Sequence, residues 1–127
     1  MKIYIVEDND SMRIILKRLL RKNFSSINAI GESEEAEEAL REIPSFAPDV
    51  VLVDISLPGI DGIEMIRRLK PQYPNLCMLV VTCHDIDLYR QTALNAGACG
   101  IVSKMDDDEL LHAVGDLFGR CKNGGCN

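Results

Sequence analysis

Five apolar runs of strand length alternate along this chain with five segments of helical period, and this alternation limits the possible folds more than any other feature. Two of the runs, VVLV at 50–53 and MLVV at 78–81, contain no polar residue. Such continuous apolarity is typical of strands that are buried on both faces of a parallel sheet. The predicted strands are residues 2–6, 27–31, 49–53, 77–82 and 100–103. The predicted helices are residues 11–23, 33–43, 61–70, 86–96 and 107–119.

Proline and glycine are predicted to end three of the helices, at Pro44, Pro71 and Gly97. Parallel strands joined by helices need right-handed crossovers, so helices should cover both faces of the sheet. We therefore predict a doubly wound α/β fold with three layers. All 127 residues fit a single domain. We place it at residues 1–120, with residues 121–127 as a flexible tail or the start of a linker.

Charge and composition argue against several classes of function. The net charge of −6 is unfavourable for a chain that binds nucleic acid directly. No apolar run approaches the roughly 18 residues that a membrane-spanning helix needs. The start MKIYIVED lacks the features of a secretory signal, so we expect a cytoplasmic protein. The five cysteines are an odd number, and we expect reduced thiols, with Cys121 and Cys126 in a frayed tail.

The first predicted helix is amphipathic and carries the one basic cluster of the sequence. Its basic residues are Arg13, Lys17, Arg18, Arg21 and Lys22. Its opposite, apolar face carries Met12, Ile15, Leu16, Leu19 and Leu20. We interpret the basic cluster as a solvated face, with a partner-docking surface as the alternative.

The residues that follow each strand are the candidates for chemistry, because ligands of open α/β sheets bind beyond the carboxyl ends of the strands. These residues are Glu7 and Asp8 after the first strand, Asp54 after the third, Thr82 after the fourth, and Ser103 and Lys104 after the fifth. The set brings three carboxylates, hydroxyl groups and one ammonium to one edge of the predicted sheet.

Asp54 is the most informative of these residues. A carboxylate at the end of a buried strand is costly to desolvate unless it is paired or bound to a cation. Three neighbouring carboxylates also repel one another unless a divalent cation lies between them. Mg²⁺ suits such a site because it takes oxygen ligands and leaves room for a phosphoryl oxygen. Asp54 can then act as a nucleophile, with Lys104 and Thr82 contacting the phosphoryl oxygens.

An ordered set of motifs in this sequence resembles the receiver domain of two-component response regulators. The set consists of Glu7-Asp8, the segment DISLPGIDG at 54–62, Thr82, Ala96-Gly97-Ala98 and Lys104. The resemblance covers about residues 2–118 and implies a flavodoxin-like sheet with the strand order 2-1-3-4-5. It is strongest to receivers that precede a C-terminal helix-turn-helix DNA-binding domain, so the chain is either an excised receiver or a stand-alone one.

The resemblance implies a phosphorylation-dependent signalling domain and not an enzyme with a separate substrate. Asp54 would accept a phosphoryl group from a sensor histidine kinase or a histidine phosphotransfer protein. Mg²⁺, or Mn²⁺ in its place, would be bound by Glu7, Asp8, Asp54 and the backbone carbonyl of Ser56. Thr82 would turn toward the phosphoryl group and Lys104 would pair with it. Pro58 and Gly62 would shape the turn after Asp54.

The resemblance also implies partners. The kinase or phosphotransfer protein would dock near the basic face of the first helix. The phosphorylated form would be able to form a homodimer, and DNA would be reached only through an effector domain outside this chain. No membrane partner is expected.

Five positions depart from the receiver pattern or tune it. Ile101 occupies the position where receivers commonly have the aromatic residue that reports phosphorylation, so aromatic coupling to Thr82 is not expected. Met105 follows the lysine in place of the common proline, so a cis peptide bond is not expected there. Cys83 fills a position that favours small residues. Ser56 and His84 flank the expected path of water to the phosphorylated aspartate, and His84 alternatively is a solvated loop residue.

Three other classes of protein share parts of this pattern. Phosphatases with an aspartyl nucleophile, similar to haloacid dehalogenases, carry DxDxT after the first strand, where this chain has Glu7-Asp8-Asn9. Nucleotide- or flavin-binding modules share the fold, but the loop EDNDS at 7–11 lacks the glycines of a phosphate-binding loop. A degenerate receiver that acts only as an interaction domain is the third alternative.

Overall fold

A computed structural model describes residues 1–122 of the chain, with the side chains of residues 1–120. The strands are β1 (Lys2–Val6), β2 (Ala29–Ser33), β3 (Val50–Val53), β4 (Cys77–Thr82) and β5 (Gly100–Ser103). The helices are α1 (Asp10–Asn23), α2 (Ala36–Phe46), α3 (Gly62–Leu69), α4 (Ile86–Ala96) and α5 (Asp107–Lys122). Apart from the helical backbone of residues 121 and 122, the predicted tail at 121–127 lies outside the described residues, as do the side chains of Cys121 and Cys126.

The five strands form one parallel sheet in the order β2-β1-β3-β4-β5. This confirms the predicted α/β fold and its flavodoxin-like strand order. From β1 the chain moves outward to β2 and then returns to pair β3 with the other side of β1. The direction of winding therefore reverses between β1 and β3, and a crevice for ligands is expected beyond the carboxyl ends of these two strands.

Alternating side chains of the sheet enter two apolar layers. Ile3 and Ile5 of β1 pack in a cluster with α1 and α5. Tyr4 and Val6 of the same strand pack in a cluster with α2, α3 and α4. Every residue of β3 and β4 is buried, as expected for central strands that are covered on both faces. Among residues 1–122, none of the helices combines the length and apolarity that a bilayer crossing requires.

The second strand lies two residues later than predicted. It pairs along the whole of β1, with Ser33 opposite Val6. Glu7, the residue after β1, continues the ladder, because its N–H donates to the Ser33 carbonyl at 3.1 Å. Pairing with β1 therefore decides the register, although the local sequence of 27–31 is the more apolar segment.

The second helix does not end at Pro44, contrary to the prediction. It continues to Phe46, and Ala47 closes it in the left-handed conformation with φ 53°. The Ala47 N–H donates to the Ile43 carbonyl at 2.8 Å, so helical bonding resumes after the proline. Pro44 lacks the N–H that would donate to the Leu40 carbonyl, so the helix loses one hydrogen bond in its last turn.

The first helix is turned slightly from its predicted orientation. Leu16 and Leu20 are buried as predicted, whereas Ile15, expected on the apolar face, is 52% exposed. On the basic side, Arg18, Arg21 and Lys22 are exposed. Arg13 is not, because its side chain is 11% exposed and pairs with Asp10 and Glu32. The solvated-face interpretation is therefore wrong for Arg13.

The expected reduced state of the cysteines is correct for two of them. Cys77 and Cys83 are reduced thiols. Cys99 is disulfide-bonded. The expectation of a reduced thiol is therefore wrong for Cys99, because a cysteine count and spacing do not reveal which thiols the fold brings together.

Candidate functional site

Four polar side chains leave neighbouring strands at one edge of the sheet. They are Glu7 after β1, Asp54 after β3, Thr82 at the end of β4 and Lys104 after β5. The parallel ladder continues past the strands, because the Asp54 N–H donates to the Val6 carbonyl at 3.1 Å and the Lys104 N–H donates to the Thr82 carbonyl at 3.0 Å. These backbone bonds fix where the two side chains begin, so the sheet itself builds the site.

Lys104 lies between two buried carboxylates. Its Nζ donates to Asp54 Oδ2 at 2.8 Å and forms an ion pair with Glu7 Oε1. Glu7 is 1% exposed and Asp54 is 7% exposed. Glu7 Oε1 is buried and has no hydrogen bond of normal geometry. One ammonium thus faces two carboxylates, and the cluster retains negative charge and an incompletely coordinated oxygen.

Burial and pairing set the ionisation of this cluster. Burial raises the pKa of Glu7, and its contacts with Lys104 and the Asn9 N–H offset only part of that effect. Burial alone would lower the pKa of Lys104, but its hydrogen bond to Asp54 and its ion pair with Glu7 outweigh burial, and the pKa is raised. Lys104 therefore stays cationic at neutral pH, while the negative charge on Glu7 is unfavourable in the buried site.

Glu7, Asp8 and Asp54 fit a divalent cation that prefers oxygen ligands. Each offers one carboxylate oxygen, and the three oxygens lie within 4.8 Å of one another. Glu7 and Asp54 are buried, whereas Asp8 is exposed at the mouth of the site. A hard cation such as Mg²⁺ satisfies both the excess negative charge and the open coordination of Glu7 Oε1, and Mn²⁺ suits the same ligand type.

Glu7→Gln is expected to raise the free energy of unfolding at neutral pH without divalent cations by about 1 kcal/mol, a common gain when an unfavourable functional group is replaced. Because the pKa of Glu7 is raised above its ordinary 4.5 in the folded state, its stabilising contribution is complete below pH 4.5 and is lost as the pH rises through the folded pKa. Glutamine does not ionise, so the gain should vanish toward about pH 4.5. Urea denaturation across this pH range in chelator measures it, and a gain that does not depend on pH would contradict the assignment.

Thr82 and Ser56 are linked through His84. The buried Thr82 hydroxyl accepts a hydrogen bond from the His84 backbone N–H at 3.0 Å. The imidazole Nε2 lies 2.5 Å from Ser56 Oγ, within hydrogen-bond distance, and the ring lies 5.5 Å from that of Tyr89. His84 itself is exposed. It connects the loop after β3 to the loop after β4.

The remaining tuning positions differ in their surroundings. Ile101 is 3% exposed and belongs to the apolar layer that includes α4, so it is a core residue that a tyrosine could replace only by displacing its neighbours. Cys83 is exposed beside Thr82. Met105 is 79% exposed, and the peptide bonds of the described chain are all trans, as expected at Met105.

The turn after Asp54 is held by contacts that the sequence did not predict. Gly59 adopts a left-handed conformation with φ 75°, which follows the predicted turn at Pro58. Next to it, Glu37 of α2 accepts a hydrogen bond from the Ile60 N–H at 3.2 Å. Gly62 is buried, and its N–H donates to the Ile55 carbonyl at 2.9 Å. No local signal around Glu37 indicates this role, because it arises from helix packing.

Comparison with known proteins gives a consistent result. The sequence matches the family model described as the response regulator receiver domain over residues 3–115. The chain is 33% identical over 114 residues to the transcriptional regulatory protein DegU of Brevibacillus brevis, covering 89% of this chain and 48% of that protein. It is 30% identical over 118 residues to the response regulator GacA of Pseudomonas aeruginosa, covering 92% of this chain and 55% of that protein. The chain thus spans about half the length of these curated relatives.

Solved structures agree with the sequence matches. A two-component response regulator of the LuxR family from Aurantimonas superimposes with a TM-score of 0.86 at 32% identity, covering 93% of this chain and 85% of the other. The signal receiver domain of a response regulator, NarL, from Mycobacterium tuberculosis superimposes with a TM-score of 0.83 at 28% identity, covering 97% of this chain and 96% of the other. Both similarities extend over nearly all of the present chain.

Proposed function

Because this chain belongs to the response regulator receiver domain family, we propose that it acts as a switch in which Asp54 accepts a phosphoryl group. The observation that supports this most directly is the position of Asp54, which is buried at the switch point of the sheet, 2.8 Å from the Lys104 ammonium and beside two further carboxylates. A carboxylate in this setting is shielded from bulk water yet opens onto a cation site.

The proposed reaction moves one phosphoryl group and leaves the carboxylate otherwise unchanged. An oxygen of Asp54 attacks the phosphorus of a phosphohistidine, the new O–P bond forms, and the N–P bond breaks with its electron pair remaining on the imidazole. Hydrolysis later breaks the O–P bond by attack of water on phosphorus and releases inorganic phosphate. Phosphoryl transfer of this kind depends mainly on positioning and charge neutralisation.

The side chains of the site have separate roles in this proposal. Lys104 moves from pairing with two carboxylates to pairing with the phosphoryl oxygens. The Thr82 hydroxyl donates a hydrogen bond to one phosphoryl oxygen. Glu7, Asp8, Asp54 and the Ser56 carbonyl would hold Mg²⁺, which would supply charge neutralisation for the phosphoryl group. Pro58 and Gly62 keep the loop after β3 in the shape that presents Asp54.

The proposed context is two-component signalling in the cytoplasm. The phosphodonor is a sensor histidine kinase or a histidine phosphotransfer protein. This donor contacts the exposed residues Arg18, Arg21 and Lys22 of α1. The output is control of transcription through a DNA-binding effector domain, and the phosphorylated form pairs as a homodimer. The relatives DegU and GacA, named as a transcriptional regulator and a response regulator, support this output.

Intact-mass spectrometry after incubation with acetyl phosphate and Mg²⁺ tests the proposal. The expected result is a mass increase of one phosphoryl group that is lost in chelator and in Asp54→Asn. Asp116→Asn, which removes an exposed carboxylate of α5, serves as the matched control and should label like the native chain. A folded native protein that gains no mass would favour an interaction domain without a phosphorylation switch.

His84→Ala is expected to speed loss of the phosphoryl group about fivefold, because the Ser56–His84 hydrogen bond is worth about 1 kcal/mol and joins the two loops through which water approaches Asp54. Ser56→Ala should have the same effect. The decay of the labelled species, followed by mass after removal of acetyl phosphate, measures the rate. His112→Ala alters an exposed histidine of α5 and is the control. An unchanged rate in both loop variants would return His84 to a solvated loop residue.

A further inference from the structure

We propose that Arg13 is a positioning residue that holds the backbone of the acidic loop for cation binding. This inference rests on the cation site of the proposed function and adds a residue that does not touch the cation. The Arg13 Nη1 atom donates to the backbone carbonyl of Glu7 at 2.7 Å. This carbonyl lies between the two acidic residues of the loop, so its orientation fixes the peptide plane from which Asp8 continues.

Glu7 is held at both of its backbone groups. Its N–H donates to Ser33 of β2 at 3.1 Å, and its carbonyl accepts from Arg13 of α1. Its carboxylate also accepts a hydrogen bond from the Asn9 N–H through Oε2 at 3.2 Å. Without Arg13, the bond to Ser33 would still anchor the strand end, but the peptide group between Glu7 and Asp8 would lose the hydrogen bond to its carbonyl.

Three carboxylates hold the guanidinium in place. Nη2 lies 2.5 Å from Asp10 Oδ1 and 3.6 Å from Glu34 Oε1, and Nε lies 3.2 Å from Glu32 Oε1. The Arg13 side chain is only 11% exposed. A rigid, planar fork of donors can reach several acceptors at once, which the single ammonium of a lysine cannot do. The arrangement therefore ties the acidic loop to α1 and to the end of β2.

Charge alone would give Arg13 the opposite effect. A cation close to a cation site repels the bound ion, so removing its charge should strengthen binding if the electric field were the only influence. The three surrounding carboxylates, however, neutralise the guanidinium where it stands. Loss of cation affinity after removal of Arg13 would therefore identify a geometric role, because the field predicts a gain.

Isothermal titration calorimetry with Mg²⁺ on the native chain, Arg13→Gln, Arg13→Lys and Arg18→Gln tests this inference. Both Arg13 variants are expected to weaken Mg²⁺ binding at least about tenfold, because removal of a group that orients a metal ligand usually costs that much affinity. Arg18→Gln is expected to bind Mg²⁺ within about twofold of the native affinity. Arg18 is the matched control because it is an exposed arginine of the same helix. Urea denaturation of the same samples in chelator separates lost cation affinity from a general loss of stability.

The outcomes are distinct. Native affinity, or tighter binding, in Arg13→Gln would overturn the inference and leave the cation site intact. If Arg13→Gln does not fold, Arg13→Lys decides alone, since it keeps the charge and lacks the fork. If the native chain itself binds no Mg²⁺, the proposed cation site fails, and the inference fails with it.

Discussion

Replacing Lys104 with methionine is expected to lower the free energy of unfolding by about 3 kcal/mol at neutral pH without divalent cations. The Lys104 side chain is 8% exposed, and it is the cation that contacts both Glu7 and Asp54. Removing one partner of a buried ion pair leaves the other charge without compensation, and here two carboxylates lose the same partner. The expected loss of stability is at the low end of the usual cost of breaking a buried ion pair, because Asp8 of the same cluster is exposed to water.

Two conditions should restore the stability of this variant. Lower pH should help, because burial already raises the pKa of Glu7 and a proton can replace the lost ammonium. Millimolar Mg²⁺ should help as well, because a cation bound by the carboxylates stabilises the folded state in proportion to its occupancy. Urea denaturation with and without Mg²⁺ measures both effects.

Lys22→Met, at an exposed position of α1, is the control for loss of a lysine. A cost below about 1 kcal/mol for Lys104→Met, which is typical of surface ion pairs, would contradict a buried cluster.

Replacing Gly62 with alanine is expected to cost about 3 kcal/mol or more of stability and to impair labelling of Asp54. A Cβ at Gly62 would lie 1.9 Å from the Asp54 carbonyl oxygen and 2.9 Å from Val53 Cγ2. The nearer atom belongs to the backbone directly after the central strand β3, where the Asp54 N–H bonds to the Val6 carbonyl, so it cannot rotate away as a side chain would. Overpacking of this kind usually costs about 1–3 kcal/mol of stability. Because the backbone here is rigid, we expect the cost at Gly62 to reach or exceed the upper end of that range.

Gly119→Ala provides the matched control for Gly62→Ala. A Cβ at Gly119 meets no atom within 4 Å, and the residue lies in α5, where alanine is favoured over glycine by up to about 1 kcal/mol. Urea denaturation and acetyl phosphate labelling compare the two variants. Native stability in Gly62→Ala would mean that the loop after β3 yields more easily than its packing indicates.

The fold was predictable because hydrophobic periodicity and turn residues agreed with the final packing. β1, β4, α4 and β5 have the predicted bounds. The misplaced elements are those in which contacts between distant segments overrule the local pattern. β2 takes its register from β1, and α2 runs through Pro44 because the helix packs its Ala39 and Ile43 against the sheet.

The site was predictable only to the extent that it sits on strand ends. Glu7, Asp54, Thr82 and Lys104 lie at the carboxyl ends of four adjacent strands, so the strand order alone brings them together. Arg13, Glu37 and the link from His84 to Ser56 depend on how helices and loops pack against that edge. Sequence periodicity carries no information on such contacts, and it therefore assigned Arg13 to a solvated face.

Because Asp54 and Lys104 follow different strands, the site has a consequence for biosynthesis. Asp54 and Lys104 are 50 residues apart in the chain, and the lysine follows β5, the last strand among residues 1–122. A polypeptide still emerging from the ribosome holds Asp54 well before it holds Lys104. A prematurely terminated product without β5 would carry the aspartate but lack the cation that faces it, so such fragments cannot form the complete pocket of the finished domain.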